Sequence, residues 1–210
     1  MKKTFLLIIA VFMVCSASFA KKTPVKVKLI LKDSTIVEGF LRSEFTDRDT
    51  VVAVSSEVKG KKSKYSFNQV ERLFLLSDND SIKPVEVVPL HVFSSMHSGK
   101  GSISDSPRML LIAYQGKHVN GYIGYVWVYN SVAWNLEPFA YYKLSDSQVA
   151  RPYLNFGTIF RKSKGKMADS FEEYPELTEE LKNGTLTTKA INDDPMLIVK
   201  ELDKILEKNR

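Results

Sequence analysis

The stretch VKLILKDSTIVEGFL, residues 27–41, predicts a bent β-hairpin. Its first half has strand periodicity, because one face is apolar and the other mostly basic; the apolar positions are Val25, Val27, Leu29 and Leu31. Asp33 and Ser34 supply turn residues, and residues 35–42 return as the second strand. Gly39 lacks the side chain that would resist a sharp bend, so we expect the hairpin to curve around a core.

Three further segments extend this hairpin into a small unit. Residues 51–54 predict a third short strand, and a basic turn of Lys59, Gly60, Lys61 and Lys62 follows it. Residues 65–76 form a last unit whose Val70, Leu73 and Leu75 can return to the core. Several short strands in about fifty residues predict a small antiparallel β-barrel over residues 21–84, since closure removes exposed edges.

The same hairpin resembles the opening hairpin of Sm-like and other SH3-like barrels, with an L-x-D-G-x-x-x-x-G-x-L rhythm over about a quarter of the chain. The sequence departs from the family pattern at Ser34, where the family usually has glycine. The resemblance implies a barrel and, for Sm proteins, RNA binding inside the cell. Residues 65–76 contain no second RNA-binding motif, so we expect the barrel without specific nucleic-acid binding. The alternative is a generic hairpin with a lysine-rich solvent face.

The first twenty residues, MKKTFLLIIAVFMVCSASFA, have the three regions of a secretory signal peptide. Lys2 and Lys3 form the basic region, residues 5–14 the apolar region, and Ser18, Phe19 and Ala20 a small-x-small cleavage site. We expect cleavage after Ala20 and an exported chain that is periplasmic, outer-membrane-associated or secreted. A lipoprotein acylated at Cys15 ranks second, because Val14 stands where a small residue normally precedes that cysteine. A buried strand or an anchoring helix is the third reading.

Removing this leader changes the composition in two respects. Cys15 is the only cysteine, so a chain cut after Ala20 has no disulfide, zinc–thiolate site or cysteine nucleophile. Loss of Lys2 and Lys3 lowers the formal charge from +6 to +4. This mild excess suits solubility or an anionic envelope surface better than a dedicated nucleic-acid groove.

The second half of the chain predicts a β-meander followed by helices. Pro84 marks the expected domain junction, and residues 93–108 are expected to be a mobile surface loop. Strands are predicted over residues 109–114, 122–129 and 139–144. Helical patterns follow: a face of Phe160, Met167, Phe171 and Tyr174, a helix from Pro175 to Gly184, and a final helix with Asp194 as N-cap, Pro195 first and Ile198, Leu202 and Ile205 buried. The predicted class is therefore α+β, with residues 85–210 as the second domain.

Part of this second half also resembles known sequences. The segment FRKSKGKMADSFEEYPELTEELKNG, residues 160–184, resembles the C-terminal portion of exported proteins of unknown function from Bacteroidota. That resemblance implies export and no particular activity.

Linear motifs for chemistry are missing from the sequence. His91, His97 and His118 do not have metal-ligand spacing, and there is no GxSxG elbow. Gly99, Lys100 and Gly101 lack the strand-loop-helix context of a phosphate loop, so they are interpreted as a flexible linker. We therefore predict no catalytic residue, no metal and no cofactor.

Two sets of residues are candidates for binding. Tyr125, Trp127 and Tyr129 share one strand face and could form an aromatic platform for a glycan or a peptide, although burial of both strand faces is the favoured reading. Lys61 and Lys62 belong to a basic set that could adhere to anionic glycans or lipids in a salt-sensitive way. The alternative is that these lysines are only solvated surface residues. The other members are Lys26, Lys28, Lys32, Lys59 and Lys64.

Taken together, these patterns predict a non-enzymatic, exported binding or structural module of the cell envelope. Its partner would be an envelope protein, a glycan or an anionic surface, and no transmembrane segment is expected after the leader is removed. The alternative is a hydrolase-type enzyme whose catalytic groups meet only in the fold and leave no linear motif.

Overall fold

The structure is a computed structural model that describes residues 24–79, 81–95, 101–129, 131–156 and 167–209. Within these ranges ten strands form one mixed sheet, and three α-helices follow them. The prediction of an α+β chain is confirmed at this level, with β-structure dominant. In the same ranges no helix is both long enough and apolar enough to cross a membrane.

The elements follow one another without long interruptions. The strands are β1 (Lys26–Leu31), β2 (Ile36–Leu41), β3 (Val51–Ser55), β4 (Lys62–Ser66), β5 (Val70–Leu76), β6 (Val85–Val92), β7 (Arg108–Gln115), β8 (Val119–Tyr129), β9 (Trp134–Leu144) and β10 (Val149–Asn155). The helices are α1 (Pro175–Asn183), α2 (Thr188–Asp193) and α3 (Leu197–Lys208). The strand order in the sheet is β10-β9-β8-β7-β6-β5-β1-β2-β3-β4.

The predicted opening hairpin is confirmed as β1 and β2, which pair antiparallel. Its turn is closed by the Thr35 amide, which donates to Asp33 Oδ1 at 2.9 Å. Ser34 has a φ of 69°, in the left-handed region that glycine occupies at least cost. The departure from the family pattern at Ser34 therefore places a residue with a side chain in a conformation that favours glycine.

The N-terminal unit has the order β5-β1-β2-β3-β4, and its hydrophobic core also includes Val87 of β6 and Met109 of β7. A Cβ at Gly39 would collide with the carbonyl oxygen of Ser55, so the glycine lets β2 and β3 approach closely. The segment predicted as a basic turn is shorter than expected, because Lys62 already begins β4. Within the described residues no ladder joins β4 to β5. The buried apolar residues are Val27, Leu29, Leu31, Val52, Val54, Phe67, Val70, Leu73, Val87 and Met109.

The second half contains five strands instead of the predicted three. The strands β8 and β9 are each 11 residues long. Many of the residues that the sequence predicts as connecting loops belong to the ladder between these two strands. The strand β10 was not predicted; it pairs antiparallel with β9 and, through two residue pairs, parallel with β6. The ladder between β9 and β10 shifts register between Pro152 and Leu154, which breaks the alternation that would have identified the strand.

The segment around the expected junction is also structured. The strand β6 runs through Pro89 and pairs with β5 on one side and β7 on the other. The placement of the domain boundary near Pro84 stays a prediction. At the base of the expected loop, Phe93 bridges Ile103 and the Ser94 amide donates to the Ser102 carbonyl at 2.9 Å. The loop's middle, including His97, Gly99 and Lys100, lies outside the described residues.

The helices cover one face of the second half of the sheet. The predicted helix after Pro175 is confirmed as α1, which ends at Gly184 with a φ of 88°. The last helix begins at Leu197 and not at Pro195, although Asp194 Oδ1 still accepts the Met196 amide at 3.1 Å. The helix α2 was not predicted, and Phe160 lies outside the described residues. The buried side chains between helices and sheet include Tyr142, Tyr153, Phe171, Leu177, Leu181, Ile198, Val199 and Leu202.

One carboxylate ties α3 to the turn between β7 and β8. Asp203 Oδ1 accepts the amides of His118 at 2.7 Å and Val119 at 3.2 Å. Its Oδ2 accepts the Tyr114 hydroxyl at 2.8 Å and the Lys117 amide at 3.1 Å. These four donors fix the helix against the sheet. We call Asp203 and its four donors the helix clamp.

The helix clamp shifts the acidity of its members. Burial raises the pKa of Asp203, but the hydrogen bonds from His118, Tyr114, Lys117 and Val119 outweigh it, and the net pKa lies below its usual value. Burial, followed by the hydrogen bond to Asp203, raises the pKa of Tyr114 to about 12. The carboxylate is therefore held charged in the folded chain.

We expect Asp203→Asn to lower the free energy of unfolding by about 2 kcal/mol at neutral pH, because charge-assisted hydrogen bonds are lost. The folded pKa of Asp203 is lowered from 3.8, so this stabilisation is present above that pH and is lost as the pH falls through the lower folded value. The difference in the free energy of unfolding between Asp203→Asn and the unmodified chain should therefore be smaller in acid. Urea unfolding followed by circular dichroism at neutral and acidic pH measures this.

Asp193→Asn is the matched control, since it removes the same charge from an exposed position at the end of α2. It should change the free energy of unfolding by less than about 0.5 kcal/mol. Equal stability of Asp203→Asn and the unmodified chain at neutral pH would contradict the helix clamp.

Candidate functional site

The exposed apolar residues concentrate at the tip of the β8–β9 hairpin. Tyr129 and Trp134 form the last residue pair of its ladder and are each 55% exposed. Their ring centroids lie 5.4 Å apart with the planes inclined at 47°. Val132, in the connection between them, is 87% exposed. Isolated exposed apolar residues are ordinary, but a contiguous group marks a candidate interaction site.

The inner part of the same hairpin is buried, so burial changes along its length. Gly121, Tyr122 and Gly124 of β8 are buried, whereas Trp127 and Val128 are half-buried. The interpretation of β8 as a strand buried on both faces therefore holds only for its inner part. The tip extends beyond the core that supports its base.

A loop from the N-terminal unit, residues 42–50, docks on this hairpin; we call it the docking loop. Its turn is held by Asp49 Oδ2, which accepts the Thr46 amide and the Thr46 hydroxyl, both at 2.8 Å. Thr46 forms a parallel bridge with Tyr125. Asp47 Oδ1 accepts the Trp127 amide at 2.9 Å. The docking loop therefore has a fixed position against β8.

This position brings Arg48 over both tryptophans. The guanidinium carbon lies 4.2 Å from the centroid of the Trp134 ring and 5.7 Å from that of Trp127. A guanidinium over an aromatic face is attracted by the ring quadrupole. The result is a group that we call the tip cluster: Arg48, Trp127, Tyr129, Val132 and Trp134.

The predicted aromatic face is present but is not an open platform. Tyr125 is half-buried beside the docking loop, Trp127 is half-buried with Arg48 near its ring, and Tyr129 packs beside Trp134. Sequence reasoning missed Trp134 and Val132 because they fall in a segment interpreted as a loop. The presence of two apolar residues, Val132 and Trp134, in a segment interpreted as a loop was the signal that could have identified them. The role of these residues in binding stays a prediction.

The predicted basic set does not join the tip cluster. Lys61 and Lys62 are exposed where the connection after β3 enters β4, whereas Arg48 lies in the connection before β3. These connections are at opposite ends of β3, a separation of about 16 Å for a five-residue strand.

The two lysines of β1 have acidic neighbours. Lys26 forms an ion pair with Asp78 at 2.9 Å, and Lys28 stands directly across from Glu38 in the ladder. The charge of Lys26 and Lys28 is offset locally, so the basic character of the predicted set depends mainly on its other members, Lys32, Lys59, Lys61, Lys62 and Lys64. Adhesion through Lys61 and Lys62 stays a prediction.

A shallow cleft of about 180 Å³ lies between the two halves of the chain, with Lys32, Glu71 and His91 in its lining. The His91 imidazole donates from Nδ1 to the Ser104 carbonyl at 2.8 Å. Among the described residues no hydrogen bond joins Lys32, Glu71 and His91. Across all the described residues, no three side chains that could ligate a metal ion lie close together.

We expect Arg48→Ala to shift tryptophan emission to longer wavelength, because removal of the guanidinium exposes the Trp127 and Trp134 rings to water. The chain has two tryptophans, so the emission reports on the tip cluster. The free energy of unfolding should fall by no more than about 1 kcal/mol, the range of a partly exposed cation–π contact. Fluorescence spectra and urea unfolding provide both measurements. Arg72→Ala, which removes an exposed guanidinium paired with Glu86, is the control, and an unchanged spectrum for Arg48→Ala would contradict the stacking.

Comparisons with known proteins identify no relative of this chain. No family model matches the chain, and neither the curated proteins nor the solved structures contain a match.

Proposed function

We propose that this chain is an exported, non-enzymatic binding module of the cell envelope that attaches through the tip cluster. The observation that carries the proposal is the exposure of Tyr129, Val132 and Trp134 together at the end of one hairpin. Apolar groups that remain in water after folding retain the driving force for association. An envelope component that covers them would bury this surface.

Export is supported by the order of the three regions in residues 1–20, which lie outside the described residues. The relation to exported Bacteroidota proteins is part of the same proposal and is supported by the segment over residues 160–184. The N-terminal unit is proposed to be SH3-like, supported by the bent β1–β2 hairpin and the close approach of β2 and β3 at Gly39. In this proposal it serves as the support for the docking loop.

The tip cluster is held in place before any partner arrives. The ladder between β8 and β9 contains eleven residue pairs, from Val119 with Leu144 to Tyr129 with Trp134. The docking loop adds the hydrogen bond from the Trp127 amide to Asp47. A binding group that is already ordered loses less conformational entropy when it binds. The supporting structure therefore favours a binding role for the tip.

The geometry favours an apolar surface over a flat sugar chain as the partner. A glycan platform needs an open aromatic face, and the Arg48 guanidinium lies over the Trp134 face at 4.2 Å. The neighbouring Tyr129 ring is inclined to Trp134 at 47°, so the two rings do not form one plane. The exposed ring edges and Val132 are suited to insertion.

Export is tested first. The protein recovered from the periplasm or medium of an expressing Gram-negative host should begin at Lys21, because cleavage is expected after Ala20. Intact-mass and N-terminal peptide mass spectrometry measure this directly. Recovery of a chain acylated at Cys15 would replace the proposal of a free exported module with that of a lipoprotein.

Attachment is tested with a double variant of the tip, Val132→Ser with Trp134→Ser. Its retention by isolated envelope fragments should fall at least about tenfold, since loss of one buried apolar side chain is worth more than the 1.4 kcal/mol of a tenfold change. Sedimentation of the purified chain with the fragments measures the bound fraction.

The control is Ile36→Ser with Val58→Ser, because Ile36 is 55% and Val58 40% exposed at places outside the tip cluster. This variant should bind as the unmodified chain does. Unchanged retention of the tip variant would remove the basis of the proposal. If only the double variant Lys61→Glu with Lys62→Glu lost retention, attachment to the envelope would be assigned to the basic set.

A further inference from the structure

We infer that the partner of the tip cluster is the interfacial zone of a phospholipid bilayer, into which the β8–β9 tip inserts. This inference rests on the proposed function and names the class of its partner. Three features of the tip favour lipid: the order of its side chains, the charges around it, and the contacts of Arg48.

The tip has the layered order of an interfacial anchor. Val132 lies at the apex and is 87% exposed, the highest value among the large apolar side chains that the structure describes. Tyr129 and Trp134 lie one level below it, at the end of the ladder. Aromatic side chains with one polar edge concentrate at the level of lipid headgroups, while aliphatic groups enter the acyl boundary. The vertical order of the tip matches that of the interface.

The apex carries no charge that insertion would have to desolvate. Residues 131–134 are Ser131, Val132, Ala133 and Trp134, none of them ionisable. Placing a charged side chain in the hydrocarbon region is costly, so natural insertion sites keep charges at the headgroup level. Arg48 is at that level, beside the Trp134 ring.

Arg48 stacks on the tryptophan rings and is not paired with a carboxylate of the described residues. Its guanidinium lies over the Trp127 and Trp134 rings and, in the described part of the chain, forms no ion pair. A guanidinium can stack on a ring and still donate in its plane to phosphate oxygens. Every phospholipid headgroup, zwitterionic or anionic, offers such oxygens.

The charges near Arg48 predict how lipid composition affects binding. Asp47 and Asp49 flank Arg48, and their carboxylates accept hydrogen bonds from Trp127 and Thr46. The docking loop therefore carries more negative than positive charge at the tip. We expect binding to need no anionic lipid and to tolerate salt, unlike the adhesion predicted for Lys61 and Lys62.

The experiment mixes the exported, processed chain with phosphatidylcholine vesicles and uses its own tryptophans as reporters. Trp127→Phe leaves Trp134 as the single tryptophan, and Trp134→Phe leaves Trp127. The Trp134 emission should shift to shorter wavelength and be quenched roughly twofold by lipid brominated near the headgroup, because the ring lies at that depth. Trp127, nearer the hairpin base, should be quenched less.

Val132→Asp supplies the decisive variant, since an exposed position tolerates it without unfolding. Vesicle binding should fall at least about tenfold, because the new charge lies at the inserted apex. Val58→Asp, the same change in the exposed connection between β3 and β4, should bind as the unmodified chain does. Circular dichroism confirms that both variants are folded.

The other outcomes overturn the inference in distinguishable ways. If envelope fragments retain the chain through the tip but vesicles do not bind it, the proposed function stands and the partner is a protein or a glycan. Vesicle binding that requires anionic lipid, vanishes in salt and ignores Val132→Asp would assign attachment to the lysines. Equal quenching of Trp127 and Trp134 would exclude insertion of the tip.

Discussion

The double pairing of β5 is the constraint on which the rest of the structure depends. This strand forms six residue pairs with β1 on one edge and three with β6 on the other. The first ladder fixes the N-terminal unit, and the second extends the same sheet into the aromatic half. Because both ladders share one strand, the orientation of the two halves is set by backbone hydrogen bonds and not by a flexible connection.

That orientation explains why a loop from one half can complete a site in the other. The docking loop meets β8 far from β5, where a small rotation between the halves would separate them. The Asp47–Trp127 hydrogen bond and the Thr46–Tyr125 bridge therefore require the alignment that β5 provides. Arg48 stands over Trp134 as a consequence of this alignment. The tip cluster is thus a property of the whole sheet, although most of its residues belong to one hairpin.

Periodicity in the sequence was sufficient to predict the strands in which apolar and polar residues alternate regularly. It was not sufficient to predict the others. The β1–β2 hairpin and α1 follow from alternation, turn residues and the Pro175 and Gly184 boundaries. The strand β10 was missed because Arg151 and Pro152 and a register shift interrupt its period. Tyr125, Trp127 and Tyr129 could be placed on one face, since that requires only a local rule. Arg48 and Asp203 could not be placed, because their partners are more than 70 residues away in the chain and are brought near only by the sheet.

The strand order also gives the lysines of β4 a role that involves no ligand. At one end of the sheet β10 turns back to pair with β6, while at the other β4 pairs, among the described residues, with β3 alone. An open edge of this kind offers unpaired backbone groups to any passing strand. Lys62 and Lys64 lie on that edge and are exposed, so two molecules that approached edge to edge would bring like charges together. Positive charge at this place therefore disfavours pairing of this edge with the same edge of a second molecule.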